Sequence, residues 1–107
     1  MNSYVIFAKY SAAALASVRD AGYQSRVPAM HAMIGSLGGS VERIMFFDSC
    51  NWDFMLIVNG EEDMIFAMGS AAGASGTFER FDVLPARSPE QMDAIVQRQY
   101  DWTPPGS

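Results

Sequence analysis

One cysteine and one histidine stand among 107 residues, and each scarcity closes a class of function. Cys50 alone cannot form an intrachain disulfide, and it cannot join His31 in a Cys/His metal framework. Charge is also thin: 18% of residues are Asp, Glu, Lys or Arg, and the net charge is −5 with no basic cluster. Sequence-independent binding to nucleic acid needs phosphates neutralised by Lys and Arg, so a nucleic-acid partner is not expected. No run reaches ~18 apolar residues, so no membrane span is expected. The opening "MNSYVIFAKYS" lacks the basic, apolar and small-residue regions of a signal peptide. A cytoplasmic location is therefore expected.

What is abundant is apolar. Half of the residues are hydrophobic, a large share for one small domain. "YVIFAKY" (4–10) reads as a strand. Ser11 can cap a helix over 12–22 that ends at Gly22. Ser25 and Pro28 can start a second helix over 25–39, whose stripe is Val27, Met30, Ile34 and Leu37, with Gly38 and Gly39 as its stop. "SVERIMFF" (40–47) and "WDFMLIV" (52–58) read as an antiparallel hairpin across "DSCN". Asn59 and Glu62 suggest a capped helix, "GASG" (73–76) its end, and "TFERFDVL" (77–84) a fourth strand with Phe78 and Phe81 on opposite faces. Ser88, Pro89 and the residues behind them start a last helix over 88–100.

The expected order is β-α-β-β-α-β with an extra C-terminal helix. This is an α+β, ferredoxin-like arrangement with a four-stranded antiparallel sheet. Residues 1–99 form one domain and 100–107 a tail. The third strand does not alternate: Phe54, Met55, Leu56, Ile57 and Val58 place apolar groups on both sheet faces. Crossover helices cover one face only. The expected cover for the other is a second copy, giving a homodimer through the sheet face. The alternative is the terminal helix and Trp102 folded back over it.

Three motifs in order resemble the GYD-domain family: Lys9-Tyr10 at the end of the first strand, Leu37 to Gly39 closing the long helix, and "NWDFMLIV" one hairpin later. In the last, Asn51-Trp52-Asp53 stands where the family has Gly-Tyr-Asp, so only the Asp matches. The resemblance implies a dimeric α/β barrel and no particular activity, since related barrels include cofactor-free oxygenases, cyclases, isomerases, haem-binding enzymes and plain ligand binders.

The chemical inventory is short. His31 is the side chain that titrates near neutrality, at the edge of its helix's apolar stripe, which makes it a candidate acid or base or a boundary residue. Asp53 is either a second acid–base group in a pocket or a brace that accepts N–H bonds from the 48–51 turn. Tyr10, Trp52, Met33, Phe47 and Asn51 are candidate ligand-binding residues, with an aromatic and methionine-lined pocket in view; the aromatics equally suit core or interface. Two readings follow. One is a cofactor-independent enzyme on a small apolar or aromatic substrate, with cyclisation, isomerisation or oxygenation as its chemistry. The other is a ligand-binding or structural dimer without chemistry. Haem ligation by His31 and a methionine is a third. No resident cofactor or metal is expected.

Overall fold

The structure is a computed structural model that describes residues 2–106; Met1 and Ser107, the outer ends of the expected domain and tail, lie outside it. Its elements are β1 (Asn2–Tyr10), α1 (Ala12–Ala21), α2 (Arg26–Ser36), β2 (Ser40–Phe46), β3 (Phe54–Gly60), α3 (Glu62–Ser75), β4 (Phe78–Ala86) and α4 (Pro89–Val96). A short 3-10 helix, Tyr23–Ser25, leads into α2. The four strands pair antiparallel in the order β2-β3-β1-β4. This α+β architecture is consistent with a ferredoxin-like fold. Among the described residues no helix is long and apolar enough to cross a membrane.

Local chemistry sets most boundaries. Ser11 caps α1, its hydroxyl accepting from the Ala14 N–H at 3.2 Å. Gly38 takes a left-handed backbone with φ 86°, and the Gly39 N–H reaches back to the Ile34 carbonyl, which closes α2. Ser88 and Gln91 form a reciprocal capping box at the start of α4, with Pro89 in the first turn.

Three expectations give way. Ser25 stands at the N-cap of α2 but gives no side-chain cap bond; it closes the 3-10 turn, and its hydroxyl donates to the Gly22 carbonyl at 2.6 Å. Asn59 stays in β3, where its side chain accepts from Ser3 Oγ at 2.7 Å, and Glu61 stands at the N-cap of α3 instead. Phe78 and Phe81 share a face. A register shift opposite Lys9 and Tyr10 leaves Glu79 unpaired and returns Phe78 to the side of Phe81, the rings 5.2 Å apart.

The core lies between the sheet and α1, α2 and α3. Tyr4, Ile6, Ala8 and Tyr10 of β1 alternate inward, as do Phe54, Leu56 and Val58 of β3, against Val18, Met30, Ile34, Met64 and Met68. The outward positions are also apolar. Val5 and Phe7 of β1 sit beside Ile57 and Met55 of β3, with Met45 of β2 and Leu84 of β4 flanking them. The last two are 43% and 47% exposed. Phe47 stacks on Phe7 at 6.2 Å, and Trp52 tilts onto Phe7 at 5.7 Å under the Arg80 guanidinium.

The terminal helix does not cover this face. No residue of α4 is buried, and Tyr100 and Trp102 are 84% and 66% exposed. The radius of gyration is 17.1 Å, against about 13 Å for a compact chain of this length. Every described residue from Arg87 onward is exposed, so the C-terminal segment contributes to this extension.

Candidate functional site

Tyr10 is the last residue of β1 and Arg26 the first of α2, so the fold brings a strand end to a helix start. Tyr10 is only 3% exposed. Its ring packs on Phe54 and Phe78 at 5.2 and 5.6 Å, within a row of aromatics that crosses the sheet from Tyr23 through Phe46 to Phe81. Its hydroxyl is buried and unpartnered, and so is Arg26 Nε. Buried polar atoms are nearly always hydrogen-bonded, so two orphans side by side call for an explanation.

They stand between two spaces. Inside is an apolar cavity of about 110 Å3 lined by Met30, Phe54, Leu56, Met68 and Phe78 with Tyr10 and Arg26. Outside is an open cleft of about 410 Å3 between α1 and the start of α2, lined by Ala14, Ser17, Val18 and Ser25 with the same two residues. Tyr10 and Arg26 line both spaces and so form a neck between the small apolar cavity and the open cleft. A further hollow of about 290 Å3 lies near Glu62 and Arg87, where Ser3 and Gln91 meet Tyr4, Ile65 and Val83.

Burial pushes the Tyr10 phenol above its ordinary pKa of 10.0; the Arg26 guanidinium, close beside the hydroxyl though no hydrogen bond of good geometry joins them, opposes part of the rise by hydrogen-bonding and charge, and the Asp53 carboxylate adds to it. The hydroxyl therefore stays a donor at neutral pH. Because the folded-state pKa lies above that of the unfolded chain, the resulting stability is fully present below the unfolded pKa and is lost as pH rises through the folded value. Tyr10→Phe is expected to lose less stability than the wild type between pH 8 and about pH 10.5, read from urea midpoints at the two pH values.

Asp53 lies just before β3 and ties three chain segments. Its N–H donates to the Ala8 carbonyl and its carbonyl accepts from the Phe47 N–H, both at 2.8 Å. Its carboxylate accepts from the Tyr10 N–H at 2.7 Å. The carboxylate replaces the next carbonyl of the β1–β3 ladder, where a charge-assisted bond is stronger than the one it replaces. The brace thus runs to β1, and not to the 48–51 turn.

The other candidates are spread out. His31 is exposed on α2 and lines none of the cavities described. Met33 joins Tyr10 at the inner cavity. Trp52 and Phe47 lie with Phe7 on the open sheet face, opposite Tyr10. Asn51 is exposed in the hairpin loop, next to the Cys50 carbonyl that accepts from Lys9 Nζ. Arg26 is the residue that sequence reasoning missed. The available signal was its place one helical turn before Met30 and two before Ile34, a cation continuing a buried stripe.

Among the described residues no three His, Cys, Asp or Glu side chains gather as a metal site. These features define the class: a small α+β protein in which a buried tyrosine meets a half-buried arginine under its helices. The chain matches no family model and has no significant match among curated proteins.

Proposed function

We propose that the chain is a small-ligand-binding protein that works as a homodimer through its open sheet face, with one apolar ligand seated under the helices of each copy. One observation carries the ligand: Tyr10 Oη and Arg26 Nε are buried without partners at the mouth of an otherwise apolar cavity. A convergent pair of polar groups on an apolar pocket is the usual composition of a small-molecule site. The apolar outer face of the sheet supports the dimer, and the GYD-like motif order agrees with it.

Acid–base catalysis by His31 and Asp53 has less behind it. His31 faces solvent, Asp53 is engaged with the β1 backbone, and the two share no cavity among the described residues. Binding is therefore the reading put forward, with Tyr10, Arg26 and Met33 as its contacts.

The test uses protein labelled at its methionine methyl carbons and titrated with the neutral probe 3-methylbutan-1-ol. Saturable shifts are expected at Met30, Met33 and Met68, which line the cavity, and not at Met45 and Met55, which lie on the opposite face. Shifts confined to Met45 and Met55, or none that saturate, would sink the reading.

A further inference from the structure

Building on that ligand-binding reading, we propose that the ligand is a short apolar monocarboxylate. Its carboxylate sits between Arg26 and the Tyr10 hydroxyl, and its tail of about four or five carbons fills the inner cavity.

The head group follows from what the neck offers. Arginine has donors only and stays charged at every physiological pH, so its complement is an acceptor, best an anion. Among the described residues Arg26 forms no ion pair; the pair present is Lys9 with Glu79, at 3.8 Å. The nearby Asp53 carboxylate is engaged with the Tyr10 N–H. A tyrosine hydroxyl adds a second donor beside the guanidinium. Arg26 is also the first residue of α2, where the helix dipole favours negative charge, and Ser25 at the cap gives no side-chain bond to the first turn. One cation and one hydroxyl suit a single negative charge. A phosphate carries close to two negative charges at pH 7, which a single guanidinium would leave partly uncompensated.

The tail follows from volume and lining. An apolar cavity of about 150 Å3 accepts benzene, or about 25 Å3 per carbon. The cavity of about 110 Å3 here takes four or five carbons at that scale. Its walls are Met30, Phe54, Leu56, Met68, Phe78 and Phe81, which offer no hydrogen bond to a second polar group. The methionines can adjust to a branched tail. A dicarboxylate or a hydroxylated tail would leave a polar group stranded there.

The same methionine-methyl titration distinguishes head groups of equal shape. In the wild type at pH 7, 3-methylbutanoate is expected to bind at least about tenfold tighter than 3-methylbutanamide, because only the anion completes a charge-assisted bond with Arg26. In Arg26→Met that ratio is expected to fall to about one, with amide binding retained. Amide binding equal to or tighter than carboxylate binding would overturn the assignment and leave the ligand-binding reading intact. A carboxylate preference that survives Arg26→Met would overturn it too. Failure of both probes and of the alcohol would remove the ligand-binding reading itself. The wild-type comparison decides the head group without requiring any variant to fold.

Discussion

Gly39→Ala is expected to destabilise the chain by about 3 kcal/mol, at the upper end for added volume in a packed site. Gly39 follows the stop of α2 and precedes β2, where Ser40 pairs with Asn59 of β3. A Cβ there would lie 2.7 Å from the Asn59 carbonyl oxygen and 3.1 Å from Ile34 Cγ2, and would press into Met64 Sδ. The methionine can rotate away. The carbonyl belongs to the sheet backbone, and Ile34 is fully buried against the strands, so neither can yield without moving β2. Space, and not backbone freedom, makes this glycine necessary, since its φ lies outside the left-handed region.

Gly35 in α2 is the paired control. A Cβ there meets nothing within 4 Å, and alanine in a helix interior is favoured over glycine by about 0.5–1 kcal/mol. Urea unfolding should move the two midpoints in opposite directions with unchanged slopes. A Gly39→Ala midpoint within error of wild type would mean that β2 can shift freely at its entry, against the packing described.

The same neighbourhood shows which parts of the fold are readable from residues. The Gly38-Gly39 stop, the Ser11 cap and the Ser88–Gln91 capping box are local chemistry, and local chemistry is written within a few residues. The strand order follows from short connections and from the two crossovers. Contacts that depend on a distant partner were not legible. Asn59 looks like a helix cap until Ser3, on the neighbouring strand, claims its side chain. Phe78 and Phe81 differ by three positions and should face apart, but the shift opposite Lys9 and Tyr10 cancels the parity.

Parity also misleads at the candidate site. Trp52 and Phe54 differ by two, so a continuous strand would put both rings on one face with Tyr10. The chain enters β3 only at Phe54, and before it Trp52 turns onto Phe7 at the open face. The aromatic wall expected from sequence is thereby divided between two sides of the sheet. Arg26 escaped notice because a lone arginine in a first turn ordinarily reads as solvated. Only the burial of its Nε beside Tyr10 sets it apart.

Met55→Lys is expected to separate the proposed dimer while leaving the single chain folded. Met55 lies at the middle of the open face, opposite Phe7 of β1 on one side and Met45 of β2 on the other. In one chain it is only partly buried, so a lysine there can lay its methylenes over Phe7 and Met45 and keep its amine in water. Two sheets packed face to face, with cores about 10 Å thick, leave no such exit. A two-fold axis doubles the insult: each lysine is buried in an apolar layer, and the partner contributes a second like charge to the same layer. Several kcal/mol of desolvation without a counter-ion corresponds to at least about a hundredfold weaker association. Solution mass measures the change directly. The wild type is expected near twice the chain mass of 11.7 kDa at micromolar concentration, and Met55→Lys near one chain mass with an unchanged far-ultraviolet spectrum. A wild type that stays at one chain mass would end the dimer reading and leave the apolar face to another partner. A Met55→Lys protein that stays at twice the mass would move the interface elsewhere, with the exposed Met92, Ile95 and Val96 of α4 as the next apolar surface to test. The outcome also bears on the ligand. The Tyr10–Arg26 neck opens on the helix side of the sheet, so 3-methylbutanoate should bind the separated chain as it binds the pair, and a loss of binding on separation would tie the cavity's shape to the partner.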